Sequence, residues 1–424
     1  MPDPRSKDSA VADVEAVWRE ESARIVASLA RYTGDVVWAE DLAQDAFVEA
    51  LDAWPADGIP SSPGGWLLTV GRRRAMDAWR RGERLARRQE LLANDLRDAE
   101  RDPVADIGDP DRIDDDTLRL VFVCCHPVLP AASRLALTLR VVAGLTTEQI
   151  ARMMLLTTAS VQQRIVRAKR DLRTADVPFE VPDRAGRPAR LDSVLQVLHL
   201  MFTEGYAPSV GDEAVRADVA TDAVRVARLL TALAPQSADT WALLALMELQ
   251  SSRFAARRDT AGELVTMDAQ DRTLWDVTAI ARGRECLARS LALNADPGVY
   301  ALQALIAQEH AVAGSTDKTD WSRIAALYAA LDAVQPSAVV RLNRAVAVAM
   351  SGAVREALSL VDELERSGAL ASYRPLQAVK ADLLARSGER DAAARTFRAA
   401  AELPGNAAEA AHLRRRAAEL AQMP

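Results

Sequence analysis

Two basic faces and one cysteine pair are the features of this sequence whose residue types and spacing suit chemistry. The first basic face is RRRAMDAWRRGERLARR at 72–88, where eight arginines against Asp77 and Glu83 give a net +6. It follows Trp66 and the loop DGIPSSPGG at 57–65. Aromatic rings beside cations suit the capture of unstacked bases, because stacking contributes ~1–3 kcal/mol per base and cations hold the backbone. The second is TEQIARMMLLTTASVQQRIVRAKRDLR at 147–173, net +4. Gln162, Gln163, Arg164, Arg167, Lys169 and Arg170 lie opposite an apolar stripe there. Polar groups near a helix start can read base edges, and the cations behind them can hold phosphates. The third feature is Cys124-Cys125-His126. Adjacent cysteines with no second pair lack zinc-ligand spacing. Their neighbours Val121, Phe122 and Val123 argue for buried thiols that pack as small hydrophobes, not for a metal or redox site. No metal and no cofactor is expected.

The elements that must position these faces are helices. Apolar residues make up 49 % and aromatics 4 % of the 424 residues, and the apolar spacing is helical through much of the chain, so the expected class is all-α. At 147–173, Thr147 is suited to cap a helix through Ile150, Ala151 and Met154. After a short break, Thr157 or Thr158 is suited to cap a second, whose stripe is Val161, Ile165, Ala168 and Leu172. Two helices so closely joined read as a helix-turn-helix. At 40–51, EDLAQDAFVEAL reads as an amphipathic helix, with Leu42, Ala46 and Val48 among acids. Between the two basic faces lies DLRDAERDPVADIGDPDRIDDD, 95–116, with ten acids against three arginines. Its prolines and glycine mark a linker. A second proline-rich break lies at 174–190. The expected segments are therefore 10–92, an acidic linker 93–113, 114–173, a linker 174–190, and 191–424. Trp18, Trp38 and Trp54 are expected to fill the first core.

Composition also excludes classes. The chain has net charge −7, no apolar run long enough for a membrane span and a polar N-terminus without a signal-like apolar stretch, so a cytoplasmic protein without membrane contact is expected. Three cysteines make no disulfide framework. A phosphate loop, a serine elbow and a paired His/acid cluster are all missing from the sequence, so it reads as a non-enzyme.

The segment 147–173 resembles region 4 of bacterial sigma factors, with one departure, Leu155 where that family usually has the turn glycine. Residues 40–51 resemble the sigma region 2.2 helix, and GGWLLTVGRRRAMDAWRR, beginning at Gly64, resembles regions 2.3–2.4. Two motif sets in this order make the chain similar to the extracytoplasmic-function (ECF) sigma factors. The resemblance implies that Asp41, Leu42, Gln44, Asp45 and Phe47 dock on the β′ clamp helices of RNA polymerase core, with region 4 at the β flap. It implies −10 contacts from Trp66, Arg72, Arg73, Arg74, Asp77, Arg80 and Arg81, with a flipped base in the loop before Trp66. It implies −35 contacts from Thr158, Ser160, Gln162, Gln163, Arg164, Arg167 and Lys169, and a linker that threads the nucleic-acid channels of the polymerase. The alternative is a free-standing regulator whose helix-turn-helix binds operators directly, although such a protein has no use for the segment 40–82.

The remaining chain reads as helix pairs. Gly314, Gly352 and Gly388 are 38 and 36 residues apart, and Ala357 and Ala393 are 36 apart. Helices are expected at 299–313, 321–334, 338–351, 354–366, 376–387 and 389–401, closed by a polar capping helix at 406–421, with Pro336 and Pro404 ending second helices. The pattern resembles tetratricopeptide repeats, which normally bind a peptide or another domain in a concave groove. The segment LHLMFTEGYAPSVGDEAVRADV at 198–219 resembles the start of the extension in a sigma group with a tetratricopeptide-like C-terminal domain. In that group the extension is thought to control sigma activity. Contact between extension and sigma domains is expected, with Trp241, Trp275, Trp321 and Tyr328 available for it.

Overall fold

A computed structural model describes residues 4–90, 110–154, 156–180, 187–206, 217–259, 265–371, 373–403 and 407–422. Among them are eighteen α-helices, a few 3-10 turns and no strand, as the composition predicts. The chain divides into two compact units, Met1–Val197 and Leu198–Pro424.

The first unit holds α1 (Pro4–Thr33), α2 (Val36–Asp57), α3 (Pro63–Glu90), α4 (Pro110–Cys124), α5 (Ala131–Val141), α6 (Thr147–Met153), α7 (Thr158–Thr174) and the first half of α8 (Arg187–Tyr206). Asp35 starts α2 by accepting from the N–H groups of Val37 and Trp38 at 2.8 and 3.1 Å. Gly58, with φ +83°, ends it. Ile25 and Leu29 of α1, Leu42 and Trp54 of α2 and Leu67 of α3 form a buried core. The α1–α3 approach is close because residue 71 is glycine: a Cβ there would stand 2.8 Å from a methyl of Leu29. The expected tryptophan packing is present. Trp18 lies on Phe47 with ring centroids 4.7 Å apart, Trp54 on Trp66 at 5.3 Å, and Trp38 on Trp79 at 5.4 Å.

Helix α4 begins inside the expected acidic linker, with Pro110 at its first position, where a missing N–H costs nothing. Residues 93–109 of that linker lie outside the described residues. Asp116, the last acid of the 95–116 run and just past that linker, is not solvated. It is buried, bonded by Arg31 of α1 at 2.7 Å and by Arg119, and burial outweighs both cations to raise its carboxyl above the usual range. Likewise the second linker is shorter than expected, because α8 starts at Arg187; residues 181–186 lie outside the described residues.

The second unit contains the rest of α8, then α9 (Ala217–Leu233), α10 (Ala238–Ser251), α11 (Val277–Leu293), α12 (Val299–Val312), α13 (Trp321–Val334), α14 (Ala338–Met350), α15 (Val354–Ser367), α16 (Arg374–Arg386), α17 (Arg390–Glu402) and α18 (Ala407–Gln422). From α12 onward the helices fall within about two residues of their expected spans. Gly352 and Gly388 adopt φ +102° and +92° between paired helices, a conformation open to glycine at no steric cost, whereas Gly314 does not. Ala357 and Ala393 occupy equivalent, fully buried places. Pro404 and the segment 207–216 lie outside the described residues. Near the start of the unit, buried Glu248 of α10 accepts two bonds from Arg228 of α9 and two from Arg282 of α11, tying three helices to one carboxylate. Trp275 is buried and Trp321 packs on His310 at 5.2 Å, so both rings serve the extension's own core.

Candidate nucleic-acid interface

The helix-turn-helix forms as its sequence requires, with a one-residue change at its start. Thr146, not Thr147, caps α6: its Oγ1 accepts from the Gln149 N–H at 3.2 Å, while Gln149 Oε1 accepts from the Thr146 N–H at 2.9 Å. This reciprocal pair satisfies two end donors at once. Thr157 caps α7 by accepting from the Ser160 N–H at 3.2 Å. Val161, Ile165, Ala168 and Leu172 are buried, as is Ala151, which lets α6 lie close. Leu155, at the turn, lies outside the described residues.

The opposite face of α7 is split in two. Gln162, Gln163, Arg167 and Arg170 are exposed, with Thr158, Ser160 and Arg164 half-buried beside them. Val166 joins the exposed group at 65 % exposure. Sequence reading missed it, although an apolar residue among cations off the buried stripe was the available signal. Lys169 belongs elsewhere. Its Nζ bonds the buried carboxylate of Glu40 and reaches Asp41 Oδ1 at 3.1 Å, leaving its side chain 18 % exposed. Arg140 stands 3.5 Å from the same Glu40, and Arg173 is 3.3 Å from Asp35. A line of cations on α5 and α7 therefore meets a line of acids on α2.

On α2 the predicted docking residues fall on different faces. Asp41 and Asp45 are exposed, Gln44 is half-buried and bonds Glu40, and Phe47 is half-buried against Trp18. Leu42 is core. Val48, expected on the apolar side, is 56 % exposed and lies on the same outer stripe as Asp41 and Asp45. Arg74 bonds Asp45 at 3.2 Å and Glu49 at 2.9 Å, and Arg73 bonds Glu49 at 2.6 Å. The Arg74 bond holds the Glu49 carboxyl below its usual range.

Helix α3 presents Arg73, Asp77 and Arg80 to solvent, with Arg72 and Arg74 half-buried. The Arg72 guanidinium lies 5.7 Å from the Tyr32 ring centre. Arg81 is on the same helix, with its side chain outside the described residues. The loop ahead of Trp66 opens on a polar cavity of about 350 Å³. Ser62, Gly64, Arg24, Arg31 and Arg72 line it, with Asp116 among the lining groups. Trp66 itself is half-buried on Trp54 and is not among the lining residues.

Cys124 and Cys125 are fully buried, and burial pushes both thiols up, Cys125 to about 12. Cys125 Sγ lies 3.7 Å from Thr138 Oγ1. Neutral buried thiols are poor nucleophiles and poor ligands, consistent with a packing role. Among the described residues no cluster of three metal-ligating side chains occurs.

Comparison with known proteins follows these divisions. Residues 17–85 match Sigma-70 region 2, and residues 119–172 match Sigma-70 region 4. The chain thus carries both sigma-70 regions and is similar to the extracytoplasmic-function sigma factors. This sigma factor carries an extension whose first part, 190–291, matches a family of unknown function. It is 31 % identical over 170 residues to the probable ECF RNA polymerase sigma factor SigI of Mycobacterium tuberculosis, covering 40 % of this chain and 57 % of that relative. It is 40 % identical over 398 residues to an uncharacterized protein of Rhizobium meliloti, covering 94 % and 93 % of the two. That second likeness takes in the extension as well as the sigma regions. No solved structure matches the chain. Among the described residues no helix is long and apolar enough to cross a membrane.

Proposed function

We propose that this sigma factor binds RNA polymerase core through the outer stripe of α2, Asp41, Asp45 and Val48, and directs initiation at promoters read by α3 and α7. The observation that carries this reading is one unit holding both an acidic stripe beside an aromatic–basic helix and a helix-turn-helix. The cavity beneath the 57–65 loop has the polar lining and the size to take an unstacked base, and Arg72, Arg73, Arg74 and Arg80 follow it along the path of a backbone. On α7, Gln163 and Arg164 are placed for base edges, Val166 for a thymine methyl, and Arg167 and Arg170 for phosphates. Residues 10–92 and 114–173 serve as the two promoter-reading domains, and the segment from 191 as a regulatory extension.

The pairing of Lys169 with Glu40 and Asp41 adds a condition. Asp41 is engaged by α7 in this arrangement, so α2 and α7 must part for Asp41 to meet the polymerase. The extension is the candidate for control of that step, and we favour a role in which it is required for activity.

The test is size-exclusion co-elution of the full chain with core polymerase, followed by transcription from the DNA upstream of its own gene. Co-elution and promoter-dependent transcripts support the reading. Operator binding without any affinity for core would favour the free-standing regulator. Removal of the extension should spare α8, because Arg134 of the first unit bonds Ser193 on it. Truncation after 206 is therefore a cleaner experiment than truncation after 180. Loss of transcription with retained folding supports the required role, and increased transcription would replace it with autoinhibition.

A further inference from the structure

The extension contains a cluster of arginines that form no ion pair among the described residues. Arg253 is buried at the end of α10, Arg257 closes the 3-10 turn that follows, and Arg272 begins another shortly before α11. They alternate with two rings. Arg257 lies 4.1 Å from the centre of Tyr206, Arg253 lies 5.9 Å from Tyr206 and 5.3 Å from Trp275, and Arg272 lies 4.5 Å from Trp275. Among the described residues none of the three has a carboxylate within ion-pair distance. Arg253 donates to the Gln270 amide oxygen at 3.2 Å, and Arg272 to the backbone oxygens of His310 and Ala313. The carboxylate that senses Arg257, Glu409 of α18, stands 3.9 Å from Arg374 and makes no ion pair with Arg257.

This is costly as it stands. Each cation–π contact offers only about 0.5–2 kcal/mol, and the three like charges repel one another in a partly desolvated setting. Burial weakens proton binding at Arg253, and although the hydrogen-bonded Tyr206 opposes this, the neighbouring Arg257 and Arg272 add to it. The same unit shows the ordinary solution at Glu248, where two arginines share one buried carboxylate. Here, among the described residues, no such ion pair forms, and the cluster also holds buried donors without a partner. Arg257 Nε, Trp275 Nε1 and His310 Nδ1 are buried without a hydrogen-bond partner. His310 lies near Arg253 and Arg272, which with burial depress its pKa to about 4, so its ring is neutral and able to donate.

We propose that Arg253, Arg257 and Arg272, with Trp275 Nε1 and His310, bind a small tetrahedral oxyanion, a phosphate or phosphate monoester. A carboxylate offers two oxygens in one plane and a single charge, whereas a tetrahedral phosphate dianion offers more acceptors and two charges to three guanidiniums and two neutral donors. The three arginines and Trp275 lie in the segment 190–291 that matches the family of unknown function, and His310 comes from α12 beyond it. Its occupancy would relieve the repulsion and stiffen the turn between α10 and α11.

The experiment is calorimetric titration of the full chain with inorganic phosphate and, separately, with phenyl phosphate, at constant ionic strength set by chloride. Saturable one-to-one binding is expected, weakened at least tenfold in Arg257→Gln and several-fold in Trp275→Phe, which keeps the ring and removes its donor. Tighter binding of phenyl phosphate assigns the site to an ester, and tighter binding of inorganic phosphate to the free anion. Absence of saturable binding by both probes, or equal binding by Arg257→Gln, overturns the proposal. Should Arg257→Gln fail to fold, histidine NMR of the parent chain decides: phosphate must raise the titration midpoint of His310, and an unmoved midpoint refutes the site.

Discussion

Replacing Lys169 by alanine separates two roles that the sequence alone leaves superimposed. As a phosphate contact, Lys169 would affect promoter affinity and leave folding untouched. The structure instead puts its Nζ on Glu40, a carboxylate 3 % exposed, with Gln44 bonded to the same group and Arg140 at 3.5 Å. Breaking a buried pair by removing one partner costs about 3–5 kcal/mol, because the other charge is left uncompensated. Arg140 and Gln44 stay behind to shield Glu40, so we expect a loss of about 2–3 kcal/mol. For a unit of this size that is a fall in Tm of roughly 4–12 °C. The assay is denaturant unfolding of the full chain, followed by a cycle with Glu40→Gln. The double variant Lys169→Ala/Glu40→Gln should recover part of the loss, since the buried Glu40 charge is then gone. A Lys169→Ala protein that unfolds like the parent, yet binds promoter DNA more weakly with a shallower salt dependence, would refute the reasoning.

Other expectations follow from the same geometry. Asp45→Arg should abolish co-elution with core polymerase while leaving the circular-dichroism melt unchanged, since Asp45 is exposed and its bond to Arg74 lies at the surface, where such pairs contribute ~1 kcal/mol or less. Arg167→Ala should weaken promoter binding across sequences and lower the salt slope by about one, whereas Val166→Ser should cost affinity at a single thymine, read by base-selection profiling. Gly283→Ala should destabilise the second unit by about 1–3 kcal/mol, because the new Cβ would stand 2.7 Å from Leu249 and 3.2 Å from the Ala245 carbonyl oxygen; thermal melts check this. His310 has its pKa lowered to about 4, so the unfolded chain binds more protons between pH 6.5 and 4; stability is full above that window and falls by roughly 3 kcal/mol across it, a loss that His310→Gln should flatten.

The sequence by itself determined the helical class, the later helix spans and the order of the parts, while it placed the α6 cap one residue late. Helical spacing fixed the buried stripe of α7, because a 3.6-residue period leaves only one face for the core. Glycine and alanine at near-36-residue spacing located the later helix pairs, since a left-handed turn and a close helix contact each admit few residue types. The apolar setting of Cys124 and Cys125 was enough to assign them to packing. What sequence could not decide was which polar residues face one another across long separations. Lys169 and Glu40 are 129 residues apart, and neither has a local signal that distinguishes a buried pair from a solvated charge. Asp116 reads as one more acid of the 95–116 run until α1 brings Arg31 to it. Val48 fits the apolar pattern of 40–51, yet the packing of α2 leaves it 56 % exposed. Arg253, Arg257 and Arg272 carry no local signal that groups them, and only the packing of the turn between α10 and α11 places them around Tyr206 and Trp275 with no ion pair among the described residues. Local propensity and periodicity act within a few residues, whereas desolvation and charge pairing are set by whichever elements the core brings together.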